Sequence, residues 1–185
     1  MKIAEARAVI TGGASGLGHA VARHFAMAGG HVTLLDVQEG PGRAAAHAIG
    51  ARASFVKCDV TSEAEVISSM DTAAERMSGI NLLVNCAGVI GAARVLGRNG
   101  PMAGEFFTKV IHINLIGTFL CDKAAAALMQ KNAPNEDGER GIAAHRGEHL
   151  RGLLASHDGD ARVRPHPQEA PAIGAAAHRI VAGAE

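Results

Sequence analysis

The 185-residue sequence has no tyrosine, no tryptophan and only five phenylalanines, the last of them Phe119. No phenol is available anywhere in it as a proton carrier. Neither sign of charge is in excess, since 18 Lys and Arg face 18 Asp and Glu. With no Lys/Arg run and no aromatic-basic patch, the electrostatic term that drives nucleic-acid binding is absent, so nucleic acid is not an expected partner. Cysteine is scarce. Cys58, Cys86 and Cys121 are odd in number and widely spaced, which suits reduced, buried thiols and excludes a disulfide framework or a cysteine-rich zinc cluster. Long apolar runs are lacking too. The opening MKIAEARAVITGG reads as a short strand rather than a leader, and no apolar span of membrane length is expected after it. These absences predict a cytoplasmic chain with no membrane partner, built around one ordinary core.

What is present is an alternation of strand and helix patterns. Ala8 to Thr11 is a short apolar run that ends in GGASGLG, after which Leu17, Val21 and Phe25 recur at the spacing of a helix face. HVTLLD, residues 31–36, is a second strand pattern, and an Ala-rich helix over about 40–49 leads to a third strand, Ala53 to Cys58. Thr61 or Ser62 can cap the next helix, Ser62 forming a capping box with Glu65, and Val66, Met70, Ala73 or Ala74, and Met77 supply its apolar face. INLLVN, residues 80–85, is apolar enough to be buried on both faces of a parallel sheet. A Gly-containing loop follows, then a long helix over about 105–131. Four such units in series predict an α/β fold, a Rossmann-like doubly wound parallel sheet.

The chemistry is expected at the strand ends. In TGGASGLG, Gly12 permits the tight turn, Gly16 lets backbone approach a pyrophosphate, and Gly18 lets the helix start close to the sheet with its free N–H groups facing phosphate. Asp36 closes the second strand 18 residues after Gly18, where a carboxylate can bind the adenosine ribose hydroxyls and repel a 2′-phosphate. That context favours NAD as cofactor over NADP. An ordinary turn carboxylate is the alternative reading of Asp36.

These residues carry a family resemblance. Thr11 to Gly18 resembles the TGxxxGxG of short-chain dehydrogenases/reductases, Asp59-Val60 resembles their adenine-contacting pair, and Asn85-Cys86-Ala87-Gly88 is similar to their NNAG segment with Cys as the second residue. The Cys variant, the CDVTSEAEV stretch, the insertion around Arg98 to Pro101 and the loop from Asn135 to Gly141 look most like the type II 3-hydroxyacyl-CoA / 17β-hydroxysteroid dehydrogenase subgroup. The resemblance implies cofactor contacts at Ser15, Leu17, Asp36, Asp59, Val60 and Cys86, and makes Asn114 on the long helix the counterpart of an Asn that supports the family's proton relay. It covers residues 1 to about 141. Complete members oxidise secondary alcohols of hydroxyacyl-CoA or steroid-like substrates with NAD, using a Ser from the following strand and a YxxxK helix whose Lys lowers the Tyr pKa.

Those catalytic residues are not found in the remainder. The last Lys is Lys131, and Ser156 is the only Ser beyond residue 141. Thirty of the 45 residues from 141 to 185 are Ala, Gly, Arg, His or Pro, a composition that fits a GC-rich gene read out of frame, with truncation plus a new tail or a distinct module as alternatives. Residues 1–141 are therefore expected to form an amino-terminal half-domain and residues 142–185 a divergent tail, with the strand expected near Gly141-Ile142 replaced. In that tail His145, Glu148 and His149 spell an inverted zinc-peptidase motif. Five His fall among those 45 residues, so chance accounts for the match, and no metal site is expected; a solvated helix face or adventitious metal affinity covers it. The sequence predicts weak NAD or adenosine binding without catalysis. Two alternatives remain: a module that pairs with itself or with complete paralogues through the helix 105–131, and a chain without stable function because the 80–85 strand lacks a neighbour on one side.

Overall fold

The computed structural model describes residues 1–91, 93–98, 100–145 and 178–181. After a single 3₁₀ turn at Ile3–Glu5, four strands alternate with three helices: β1 (Arg7–Thr11), α1 (Gly16–Met27), β2 (His31–Asp36), α2 (Glu39–Ile49), β3 (Ala53–Lys57), α3 (Glu63–Met77) and β4 (Leu82–Asn85). The Arg98 to Pro101 insertion makes a two-residue antiparallel ladder, β5 (Leu96–Gly97) with β6 (Gly100–Pro101). A continuous helical run follows, made of α4 (Gly104–Ile111), a π-helical segment (His112–Gly117) and α5 (Thr118–Met129), and it leads to β7 (Glu139–His145). The sheet order is β3-β2-β1-β4-β7-β8, with β8 (His178–Val181) antiparallel to β7 and the other five parallel. The doubly wound α/β expectation holds.

Strand alternation explains the two-sided core. On β1, Ala8 and Ile10 join Leu82 and Val84 of β4 in a cluster under Val21 and Phe25 of α1. Val9 and Leu83 face the other way, into Val66, Met70, Ala73 and Met77 of α3 and Leu120, Cys121, Ala125 and Met129 of α5. The apolar face expected for α3 is therefore its buried face. Ser62 is the cap, its Oγ accepting from the Glu65 backbone N–H at 3.4 Å, while the Glu65 carboxylate accepts from the Asp59 N–H at 3.0 Å and ties the cap to the loop before it.

Three expectations need correction. β4 does not lack a neighbour: Leu82 to Asn85 pairs with β1 on one side and with Ile142 to His145 of β7 on the other. The strand near Gly141-Ile142 is accordingly present and crosses the boundary drawn at 141. Its small residues suit the position, since Ala143 and Ala144 are each 3% exposed and a Cβ on Gly141 would lie 2.4 Å from the Met129 sulfur. Asn132 joins the two strands, donating from Nδ2 to the carbonyls of Ile80 and Arg140, both at 2.8 Å. Finally, the run Gly104–Met129 is long and apolar enough, by length and composition alone, to cross a membrane, contrary to the expectation of no such span. Its second half owes that composition to the core, where Leu120, Cys121, Ala124, Ala125 and Met129 are buried.

Candidate functional site

The carboxyl ends of β1 to β4 open into one cleft of about 340 Å³. It is walled by Gly12, Ser15, Gly16, Leu17 and Gly18 after β1, by Asp36, Val37 and Gln38 after β2, by Cys58, Asp59 and Val60 after β3, and by Cys86, Ala87, Gly88 and Val89 after β4. Ile113 closes it from the π-helical segment. Every residue singled out in the Gly loop, Asp36, the Asp59-Val60 pair and the 86–88 segment is on this wall. Asn85 and Asn114 are not.

The floor is held by close backbone approach. Gly12 has φ +65°, and a Cβ there would sit 2.8 Å from the Ala87 nitrogen. A Cβ on Gly18 would sit 2.3 Å from the Gly12 carbonyl oxygen, so α1 begins against the β1 turn only because residue 18 has no side chain. Gly16 also has positive φ, at +54°. Ser15, at the N-cap of α1, makes no side-chain capping bond, which leaves the leading N–H groups of the helix for an anion in the cleft. Thr11 fixes the opposite wall. Its hydroxyl, 1% exposed with the rest of the residue, accepts from the N–H groups of Cys86 at 3.1 Å and Ala87 at 3.0 Å.

Asp36 is oriented by backbone donors. Oδ2 accepts from the Ala14 N–H at 3.1 Å and Oδ1 from the Gln38 N–H at 3.0 Å, and each oxygen keeps a second lone pair for a ligand hydroxyl. Asp59 uses Oδ1 alone internally, for the Thr61 N–H at 2.9 Å and the Thr61 hydroxyl at 2.7 Å. Burial pushes the Cys58 thiol above its ordinary pKa, against a smaller opposing effect of a hydrogen bond with Ser69. Burial raises Cys121 still further, so both stay protonated and inert near neutral pH.

Asn85 and Asn114 act behind the wall. Asn85 donates to Asp122 of α5 at 2.8 Å, and the second Asp122 oxygen lies 3.5 Å from Nε2 of His145 at the end of β7. Asn114 makes two 2.9 Å bonds to the backbone of Val89, accepting from its N–H and donating to its carbonyl. It sits in the π-helical segment, a distortion of the kind that frequently marks functional sites. The wall residues Val37, Gln38, Cys58, Val89 and Ile113 were not anticipated, although each directly adjoins a residue that was, or lies within two positions of it. Among the described residues no group of three His, Cys, Asp or Glu could hold a metal. Glu148, His149 and Ser156 lie outside the described residues.

Comparison with known proteins gives the same outline. The family model for short chain dehydrogenase matches residues 6–138. Over 142 residues the chain is 41% identical to 3-hydroxyacyl-CoA dehydrogenase type-2 of Drosophila melanogaster, covering 76% of this chain and 56% of that one. The protein of the same name from Rattus norvegicus is 39% identical over 137 residues, covering 73% and 52%. The crystal structure of 3-hydroxyacyl-CoA dehydrogenase type-2 from Mycobacterium avium superposes with a TM-score of 0.67 at 35% identity, over 72% of this chain and 52% of that one. The chain thus spans about half the length of these relatives.

Proposed function

Because the chain belongs to the short-chain dehydrogenase family, we propose that its cleft binds an NAD-type dinucleotide chiefly through adenosine and diphosphate, and that these 185 residues do not by themselves dehydrogenate an alcohol. The observation that carries the binding half is the cradle between Gly12 and Gly18, where a Cβ at either position would meet backbone. A diphosphate fits there, on the uncapped start of α1. From that point the ribose hydroxyls meet Asp36, one strand over, whose carboxylate is held by the Ala14 and Gln38 N–H groups, and the base continues to Asp59 and Val60 at the end of β3. A carboxylate at Asp36 also opposes a 2′-phosphate, which favours NAD over NADP.

The second half rests on side-chain chemistry. NAD, when bound, supplies the hydride acceptor; the protein must take the hydroxyl proton and hold the alcohol. The sequence has no Tyr and no Lys beyond Lys131, and the described candidates near β7 are tied to one another, His145 to Asp122 and Asp122 to Asn85. Hydroxyacyl-CoA or steroid-like alcohols are the substrates of the reading only where a complete catalytic half accompanies this one. Calorimetric titration with NAD, ADP-ribose, AMP and NADP tests it. NAD and ADP-ribose binding within a few-fold of each other, NADP weaker, and loss of that preference in Asp36→Ala are the expected results. NAD binding far tighter than ADP-ribose refutes the adenosine-only reading.

A second reading is favoured by one feature. Phe106, Phe107, Leu115, Ile116 and Phe119 of the 104–129 run are exposed, Leu115 by 60% and Phe119 by 58%, so this face suits pairing with another copy or a complete paralogue. Molar mass from light scattering, with a Leu115→Asp/Phe119→Asp control and with and without a complete paralogue, separates the two.

A further inference from the structure

A second, larger cleft of about 750 Å³ adjoins the first, and the two share Val37, Asp59, Val89 and Ile113. Its outer wall is α4, through Thr108 and neighbouring positions. Three of the four shared residues are apolar. Val37 is 53% and Val89 37% exposed, so neither is needed by the core, and both border open space beside the adenine end of the proposed nucleotide site.

We propose that this cleft is a subsite for an apolar substituent on the amino group of adenine, so that the chain accepts N6-alkyl and N6-arylalkyl adenine nucleotides and binds them more tightly than the unsubstituted ones. The inference rests on the adenosine-binding reading above. Its geometry comes from Asp59, which stands on the boundary between the clefts. The internal bonds of that carboxylate use Oδ1 only, and Oδ2 is an acceptor matched to an exocyclic amine, the one donor group on the adenine edge. An amine has two hydrogens. With one on Asp59, the other position is free to carry a substituent, and the apolar residues that share the boundary with Asp59, Val37, Val89 and Ile113, offer it a bed. Besides Asp59, the side chains of the second cleft that can carry charge, Glu105, Lys109 and His112, lie on the helical run and leave that bed free for hydrocarbon.

Titration calorimetry with AMP, N6-benzyl-AMP and 8-benzylamino-AMP on the intact chain provides the test. Covering about 50 to 60 Å² of apolar surface corresponds to about tenfold in affinity, so N6-benzyl-AMP is expected to bind about tenfold tighter than AMP, and the C8 isomer no tighter than AMP. Thr108 lines the second cleft but not the first. Thr108→Trp, at an exposed helical position, fills the second cleft and should abolish the gain while leaving AMP binding unchanged. AMP binding with equal or weaker N6-benzyl-AMP binding overturns the subsite and leaves the adenosine site standing, as does a gain that survives Thr108→Trp. No binding of AMP itself refutes the adenosine site and the subsite with it.

Discussion

Replacing Thr11 by valine removes one oxygen and keeps the shape of the side chain. That oxygen accepts from the Cys86 and Ala87 N–H groups at 3.1 and 3.0 Å and sits 3.5 Å from the Asn85 amide oxygen. Without it two backbone donors lose their partner, one of them in a buried residue. A buried donor left unsatisfied costs about 1–3 kcal/mol. The buried Cys86 contributes the larger share and the half-buried Ala87, which water can reach, the smaller, so the total is about 2–4 kcal/mol. For a chain of this size 1 kcal/mol corresponds to about 2–4 °C, which predicts a fall in melting temperature of roughly 5–15 °C for Thr11→Val. Thr11→Ser keeps the oxygen, loses one methyl and should cost about 1 kcal/mol. Urea unfolding followed by circular dichroism measures both. A valine variant within 0.5 kcal/mol of the parent, or a serine variant as unstable as valine, would show that the 86–87 turn is not held by this hydroxyl.

Gly12→Ala combines positive φ with a Cβ contact to the backbone of Ala87, so it should unfold the chain or abolish ADP-ribose binding, whereas Gly40→Ala, which meets nothing within 4 Å, should be silent in both assays. The raised pKa values of Cys58 and Cys121 have a definite sign: above the ordinary thiol value of 9.0 the unfolded chain releases these protons before the folded one, so stability is complete below pH 9 and falls as pH rises beyond it. Urea midpoints from pH 7 to 10.5 should show that loss, with a shallower alkaline slope in Cys121→Ala than in the parent. No NAD reduction above background is expected with 3-hydroxybutyryl-CoA or hydroxysteroids from pH 6 to 10, while joining residues 1–141 to the carboxy-terminal half of a complete family member should restore turnover; turnover by the native chain that His145→Ala abolishes would refute the reading.

Much of the fold was legible because its signals are local. The Gly loop after β1, the Ser62 cap of α3 and the continuous apolar run of β4 each dictate structure within a few residues, although Glu65 does not close the expected box and bonds the Asp59 N–H in place of that of Ser62. β7 was missed for the opposite reason. Its Gly141, Ala143 and Ala144 have little strand propensity and resemble the Ala/Gly-rich residues that follow, yet they pair with β4 because small side chains fit beneath Met129. The π-helical segment has no periodicity distinct from the α-helix around it, so a single helix was expected. The site divides in the same way. Gly12, Gly18 and Asp36 announce themselves by spacing, whereas the bond from Asn85 to Asp122 joins positions 37 residues apart and depends on where α5 settles. The Thr11 hydroxyl acts 75 and 76 residues away in sequence, a contact that only sheet register brings about.

That division between local and long-range signals parallels one between binding and chemistry. Under the proposed reading the adenosine end of the nucleotide runs from β1 toward β3, over strand ends whose walls are made mostly by short motifs within the first 89 residues, with Ile113 added from the π-helical segment. Under the same reading proton transfer falls in the other direction, past β4 toward the carboxyl end of β7, where His145 and Asp122 lie. These are 3.5 Å apart, and neither borders the cleft. A general acid or base must reach the proton it moves, directly or through one water, so under that reading the pair orients Asn85 and does not carry the proton. Affinity for the adenosine half and capacity for dehydrogenation are thus separable in this fold, because different strands supply them. Under the proposed reading the strands that supply the first, β1 to β3, are all present in this chain.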